Sequence, residues 1–473
     1  MKQPTPRKKS SPTLGRKTKS TKTKTARPAP AQDLAASLEQ HLDKLPLDQL
    51  ACASGFRRRK PKKLTPRLFV QAACLLVTLG SVSYRRWAGL IGLLGRCTLT
   101  KQSLFERMTA SAVRFLQAVL GALLGRLAIT QGAAPAALHG FGRVLLQDST
   151  TLKLSEKLAR FFPGARNQKG AQVGLLKIQA CYDLRAQSFV HFSLSSYRRN
   201  DQAASPEVLP LVRAGDLIIR DLGYFVLAVL QQIAAANAYF LSRLRLGVSV
   251  WEAEGRQRVN LLRRLRNSPA HLDGQFWLGK EQGSVRLVAI RLPTAVAAER
   301  RRKARQNRDR RCPPSAERLA LLGWAIFITN VPATRLSAQA VAEVYGLRWR
   351  IETIFKAWKS YFALTEVPTG SKTEVESLIY AKLIFITLFQ VCFGQRWGAG
   401  TQAHDPPALS LLKVAQEVQS YLLVLVLAQL GVDLASAWEQ LVGTHCRYER
   451  RRRRHFMQES RWTSGLTLRS IVK

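Results

Sequence analysis

Three acidic residues and one basic helical stripe carry the chemistry this sequence could do. Asp148 closes the apolar run 143–148, and Asp221 closes a second apolar run, 216–221. Carboxylates at the carboxyl ends of neighbouring strands point into one crevice. Two of them held close repel unless a cation neutralises them, and Mg²⁺ is suited to that task because it takes few carboxylates and keeps waters or phosphate oxygens. Either aspartate alone could be a strand-end cap or a turn former. A third carboxylate, Glu352, lies in the helical pattern 338–361 with Tyr345, Arg348 and Lys359. At about 100° per residue these four side chains fall within roughly 60° of arc on one helix face. Glu352 would complete a metal site, while Arg348 and Lys359 would hold the oxygens of a phosphodiester. The plainer alternative is a solvated face with an Arg348–Glu352 pair one turn apart.

The elements that must position these residues follow from patterning. Residues 1–32 hold ten basic residues and no acid among Pro, Ser and Thr, the composition of a disordered basic arm. From 33 to 135 the apolar spacing is helical, starting with Leu34, Leu38, Leu42 and Leu45. Within it, 87–96, the turn 97–100 and 101–108 read as helix, turn, helix, and the second opens on small polar residues suited to a DNA groove. An ordinary helical hairpin would show the same pattern. Residues 136–245 change to α/β, with strands at 143–148, 175–183, 187–194 and 216–221 and helices at 200–212 and 224–235. Residues 246–330 are strand-rich around a basic helical stretch, 299–311, and end in a strand at 324–329. Residues 331–395 return to helix at 338–361 and 372–393. Residues 396–473 form a helical C-terminal region, with a helix at 409–430 and a closing arginine run at 447–454.

Composition narrows the partners. Lys and Arg number 74 against 30 Asp and Glu, a net charge of +44. A field of that sign and size implies a polyanionic partner, nucleic acid first, and argues against an ordinary metabolic enzyme. Four patches, 1–32, 57–67, 300–311 and 447–454, account for 29 of those charges. Seven cysteines without a C-x-x-C spacing argue against a zinc ribbon and against a disulfide framework. The basic N-terminus has no apolar segment of a secretory signal. The apolar stretch 378–394 is interrupted by Lys382 and Gln390 and reads as a buried helix rather than a membrane span. A soluble, intracellular protein is expected.

The stripe, written Tyr345-x2-Arg348-x3-Glu352-x6-Lys359, resembles the Y-R-E-K signature of bacterial insertion-sequence transposases with an Asp-Asp-Glu active site. Asp148 in Leu146-Gln147-Asp148-Ser149-Thr150 resembles their first catalytic aspartate, and Asp221 in Arg220-Asp221-Leu222-Gly223-Tyr224 their second. The stretch 327–332 resembles the strand leading to their signature helix. The likeness covers most of 75–395.

That resemblance implies a ribonuclease-H-like catalytic core in two parts, 136–245 and 331–395, with 246–330 as a β-rich insertion between them. The helices of 33–135 would be a DNA-binding domain, and 396–473 a dimerisation region. Asp148, Asp221 and Glu352 would be both catalytic residues and metal ligands, holding two divalent ions, Mg²⁺ with Mn²⁺ able to substitute. The substrates would be double-stranded transposon ends and target DNA, handled by a homodimer in a synaptic complex in the bacterial cytoplasm, at the nucleoid. In the best-studied relatives the cut end passes through a hairpin with one base flipped out of the stack. A tryptophan 21 residues before the signature tyrosine stacks on that base, which here is Trp324. Tyr345, Arg348 and Lys359 would contact the same DNA. Two other readings carry different expectations: a catalytically silent DNA-binding protein, and a ribonuclease-H-like nuclease that cuts without joining.

Overall fold

The computed structural model describes residues 32–79, 83–127 and 138–397, apart from 167–169, 171, 253–256, 269, 280–282, 307–312, 363 and 368–369, together with a few positions between 416 and 431. The basic arm, the arginine run at 447–454, most of the helix expected at 409–430 and the end of the basic stretch 299–311 lie outside the described residues.

Six helices come first: α1 (Gln32–Asp43), α2 (Leu47–Ala53), α3 (Pro66–Leu75), α4 (Tyr84–Gly95), α5 (Lys101–Phe105) and α6 (Ala110–Leu127). Their starts are written locally. Thr65 accepts a hydrogen bond from the Leu68 amide, with Pro66 at the first helical position, and Ser83 accepts from the Arg86 amide. The helix-turn-helix expected at 87–108 forms as α4, a turn and α5, but α5 ends at Phe105 after five residues. Thr100 caps it through the Ser103 amide, and the Ser103 hydroxyl is engaged by Arg107. Two of the small polar side chains expected to face a groove are therefore committed to the turn itself.

The sheet has ten strands: β1 (Val144–Leu154), β2 (Pro163–Arg166), β3 (Gln172–Asp183), β4 (Ser188–Ser196), β5 (Leu217–Arg220), β6 (Tyr239–Arg243), β7 (Val250–Glu252), β8 (His271–Leu278), β9 (Ser284–Arg291) and β10 (Trp324–Thr329). Their order is β2-β3-β1-β5-β6-β10-β9-β8-β7, with β4 also paired to β3. β4, β3 and β1 run antiparallel, and β5 and β6 then add parallel to β1, the order expected of a ribonuclease-H-like core. The strands of 246–330 continue this same sheet through the β10–β9 ladder. Thr329 and Asn330 pin the end of β10 to β6: the Thr329 hydroxyl donates to the Phe240 carbonyl, while the Asn330 amide accepts from the Phe240 N–H and donates to the Ala238 carbonyl.

Between β4 and β5 the chain makes α7 (Asp201–Ala204) and then a 3₁₀ stretch, Ser205–Leu211, where a single α-helix was expected over 200–212. Pro206 and Pro210 remove the amides that would continue an α-helix. After β5 come α8 (Leu227–Ala235), then α9 (Leu261–Arg266), α10 (Thr294–Arg305) and α11 (Ala316–Leu321). The helix expected at 338–361 divides into α12 (Ala338–Gly346) and α13 (Trp349–Tyr361). α14 (Lys372–Trp397) closes the described core. It is long and apolar enough to cross a membrane, but 94% of its apolar window is buried inside the protein against the other helices. One sheet face packs on α6, α12, α13 and α14, and the other packs on α8.

Candidate active site

The parallel ladder between β1 and β5 ends with Gln147 opposite Arg220. Asp148 and Asp221 are the next residue on each strand, so the two aspartates leave the ladder side by side. Asp221 lies at a strand end, as expected. Asp148 does not: β1 continues to Leu154, paired with β3 throughout. The threonines after Asp148 favour an extended chain, and what ends at this point is β5, not β1. Asp148 faces the side of the sheet that carries α13, because alternate residues share a face and Leu146 packs in that core.

Glu352 stands on the first turn of α13, and Arg348 precedes that helix in the break after α12. Tyr345, Arg348, Glu352 and Lys359 are thus not on one uninterrupted helix. Both residues of the break keep right-handed helical backbone angles, so the face is nearly preserved. The Arg348 side chain turns inward and meets all three acids. Its Nη1 lies 2.6 Å from Glu352 Oε1 and 3.1 Å from Asp148 Oδ2, and its Nε lies 3.6 Å from Asp221 Oδ1. The pair one turn apart therefore forms, but as one arm of a four-residue cluster. Arg348 was expected on phosphate oxygens; in this structure it is the counter-charge of the acids.

Electrostatics reflect the crowding. Burial, together with repulsion from Asp221 and Glu352, pushes the Asp148 carboxyl up to about 7, against the pull of the Ser149 amide and Arg348. Burial opposes the charge on Arg348, but Asp221, Tyr345, Asp148 and Glu352 raise its pKa and keep it ionised. Among the described residues no three acidic, His or Cys side chains are arranged to hold a metal ion as they stand. The donor set nonetheless fits a divalent ion. Three carboxylates converge on one cationic group, and Asp148 and Glu352 share the same guanidinium nitrogen.

The other expected residues surround this centre unequally. Tyr345 is buried against Phe327, with ring centroids 5.2 Å apart, and burial pushes its hydroxyl up to about 12. That hydroxyl makes no hydrogen bond. Lys359 is exposed, two turns of α13 beyond Glu352, and partial burial of its amine lowers its pKa. Trp324 starts β10, and because β10 runs antiparallel to β6 it lies at the same end of the sheet as Asp221, two strands across. It is only 7% exposed and Arg291 lies over its ring at 5.7 Å. It also lines a cavity of about 970 Å³ shared with Leu222, Arg243, Arg245, Arg258 and Arg318.

Sequence patterning missed two features. Trp349 is 63% exposed, with the Arg348 guanidinium over its ring at 5.4 Å. Beneath the aspartates, on the opposite sheet face, Asp201 accepts hydrogen bonds from Ser149 Oγ (2.9 Å), Lys177 Nζ (3.0 Å) and Gln179 Nε2 (3.1 Å). A Cβ on Gly223 would meet Asp201 Oδ2 at 3.1 Å, so the same carboxylate packs under the turn that follows Asp221. Asn200 followed by Asp201 was legible as a helix start, since Asn200 caps α7. The partners of Asp201 on β1 and β3 were not, because they come from distant strands.

Comparison with known proteins decides the family. The family model of the transposase DDE domain matches residues 139–388, more than half of the chain and all three acids. The chain belongs to the DDE transposase family. It is similar to the transposase for insertion sequence element IS231C of Bacillus thuringiensis subsp. berliner, 29% identical over 376 residues that cover 75% of this chain and 78% of that one. It is equally similar to the transposase for IS231F of B. thuringiensis subsp. israelensis, 29% identical over 378 residues, 76% of this chain and 79% of that one. The transposase for IS1151 of Clostridium perfringens is 24% identical over 311 residues, 61% and 65% of the two chains. The transposase is an enzyme of DNA cleavage and strand transfer with DNA as its substrate, and its DDE domain is of a kind that generally uses divalent metal.

Proposed function

We propose that this transposase binds the terminal inverted repeats of an insertion sequence, cleaves there and joins the freed ends to target DNA by a cut-and-paste route. The observation that carries this reading is the convergence of Asp148, Asp221 and Glu352 on a single cationic group at the end of the β1–β5 ladder. These three acids would hold two divalent ions, Mg²⁺ with Mn²⁺ able to substitute. Ions bound there would supply an activated water or 3′-hydroxyl and offset charge on the leaving oxygen. Asp148, the least exposed of the three and one residue beyond the last rung of the ladder, would fix one side of the centre, while the more exposed Asp221 and Glu352 would face the incoming backbone. Lys359 and the basic loop 57–63 add phosphate contacts that position the duplex without reading it. The helices of 33–135 would carry recognition of the repeats.

Cleavage of a duplex bearing the element's own terminal repeat, with Mg²⁺, tests this. Wild type should nick the 3′ end and the Asp148→Ala variant should bind the duplex but leave it intact. A wild type that binds without cutting would favour the silent DNA-binding protein instead, and cutting without joining would favour the simple nuclease. The route through a hairpin draws support from Trp324, which lines a basic cavity at the Asp221 end of the sheet. Trp324 would stack on the displaced base from the cavity side, with Tyr345 nearer the acids. Trp324→Ala should still nick while hairpin yield drops, and equal loss of both steps would end that assignment. The enzyme would act in the bacterial cytoplasm, at the nucleoid, as a homodimer in a synaptic complex, with 396–473 between the subunits. Cleavage of single ends by monomers would contradict the paired assembly.

A further inference from the structure

We propose that Arg348 is an internal counter-cation that occupies the acidic centre until a DNA phosphate draws it out, so that divalent-metal binding and DNA binding are coupled through one side chain. This rests on the reading of Asp148, Asp221 and Glu352 as metal-holding acids.

The argument begins with space. Arg348 Nη1 contacts both Asp148 Oδ2 and Glu352 Oε1, at 3.1 and 2.6 Å. A divalent ion held by Asp148 and Glu352 would need the space that this guanidinium nitrogen fills. Ion and guanidinium nitrogen would then compete for one small volume. They also repel, because the guanidinium stays protonated in any accessible condition. The described acids are, accordingly, not arranged to hold an ion as they stand.

Charge and geometry say the guanidinium is a placeholder rather than a permanent partner. Three acids against one arginine leave the cluster short of positive charge whenever more than one of them is ionised. The Arg348 Nε is buried and makes no hydrogen bond, its distance to Asp221 Oδ1 being 3.6 Å. A planar guanidinium whose Nε contact is this long would be better satisfied by the bidentate fork of a phosphate. Arg348 also has an exit. It sits in the two-residue break between α12 and α13, next to the exposed Trp349, and its side chain would leave on that side. Once a phosphate takes the arginine, the acids are left with nothing to neutralise them but divalent ions. Metal loading would therefore follow engagement of DNA, which keeps a metal-charged nuclease centre from forming on the free protein.

Linkage makes this measurable without any turnover. If DNA raises metal affinity by a given factor, metal raises DNA affinity by the same factor. The experiment is a Mn²⁺ titration of the full chain followed by electron paramagnetic resonance, with and without a duplex bearing the terminal repeat. Wild type, Arg348→Gln, Arg348→Lys and Asp148→Ala are compared. Without DNA, Arg348→Gln should bind Mn²⁺ about 5–150-fold more tightly than wild type, the usual span of such couplings. Arg348→Lys, which keeps the charge but cannot bridge three acids, should fall between them. DNA should tighten Mn²⁺ binding by wild type, and by Arg348→Gln far less. Mn²⁺ affinity in Arg348→Gln and Arg348→Lys equal to or weaker than in wild type would overturn the proposal. Asp148→Ala separates the two readings. If it leaves Mn²⁺ binding unchanged, the acids are not a metal centre at all. If it abolishes binding while neither arginine variant tightens it, only the coupling fails.

Discussion

Removing the Asp201 carboxylate tests whether the layer beneath the aspartates holds them in place. Asp201→Ala deletes the acceptor of three side-chain hydrogen bonds, from Ser149, Lys177 and Gln179, and strands Lys177, whose side chain is 8% exposed. Breaking a buried ion pair by removing one partner costs about 3–5 kcal/mol. Asp201 itself is 28% exposed, so water can replace part of its role, and the expected loss falls to about 2–3 kcal/mol. The double variant Lys177→Met/Asp201→Ala removes the stranded charge as well, and should recover about 1 kcal/mol or more relative to Asp201→Ala. Urea unfolding of wild type, both singles and the double supplies these values. Activity provides the second readout. Ser149 follows Asp148, and Gly223, against which Asp201 packs, follows Asp221 by two residues. A shift of about 1 Å at reacting groups can cost roughly 100-fold in rate. Nicking by Asp201→Ala should therefore fall by about 10–100-fold while DNA binding stays near wild type. Additive losses in the double, or unchanged nicking in Asp201→Ala, would refute the positioning argument.

Three further expectations concern other parts of the molecule. Trp358 is fully buried among Phe189, Phe192 and Phe355, at centroid distances of 4.9, 5.8 and 5.0 Å, so Trp358→Ala should cost roughly 3–5 kcal/mol by urea unfolding. Its indole N–H has no partner, so Trp358→Phe should cost under about 1.5 kcal/mol, and a cost equal to that of alanine would count against the packing account. Burial pulls the Lys382 amine on α14 down to about 7, so the folded chain carries it largely neutral above that pH while the unfolded chain holds its proton up to its ordinary value. The unfolded state then binds more protons, and stability rises with pH between about 7 and 10. Lys382→Met should stabilise by about 3–5 kcal/mol at pH 7, with the gain shrinking toward pH 10, and a gain independent of pH would argue against a buried amine. Changing Arg58, Arg59, Lys60, Lys62 and Lys63 together to Gln should flatten the salt dependence of DNA binding, measured by anisotropy, by about 0.9 in log–log slope for each phosphate no longer neutralised. Parallel slopes would take this loop off the DNA.

Much of the site was legible where the signal is local. Asp221 ends its strand and starts a turn, and both facts are written in the residues on either side of it. Asp148 was read as closing its strand, and it meets the other two acids for a different reason. Its own strand runs on, and the crevice opens because its neighbour β5 stops, a non-local event that no pattern around Asp148 encodes. The helical stripe survived its break because Leu347 and Arg348 keep helical backbone angles, so periodicity alone could not reveal the interruption. Spacing showed that Arg348 could reach Glu352. It could not show that the same guanidinium reaches Asp148, 200 positions away, since that contact depends on which strand α13 packs against. The failure at 200–212 was avoidable, because two prolines within six residues argue against a continuous α-helix.

The charge of the chain takes on a sharper meaning beside this cluster. Within the patch 57–67, Arg57 is paired with Asp48, and Arg67 with Glu39 and Asp43, so these two serve the helical fold. Arg58, Arg59, Lys60, Lys62 and Lys63 are exposed and line one open groove with Ser103 and Arg107. In the patch 300–311, Arg302 and Lys303 pair with Glu299, while Arg300 and Arg301 donate to the Trp324 and Leu319 carbonyls. Part of the positive charge in these two patches is thus structural, and a sum over sequence overstates what they offer to DNA. Arg348 is the extreme case, a cation set among three acids where the proposed chemistry would require a different one. A backbone phosphate can draw an arginine outward only if the surrounding field first brings the phosphate close. The exposed basic loop and the buried arginine would then be two stages of one process, the first gathering DNA at long range and the second exchanging an internal charge for the substrate's own.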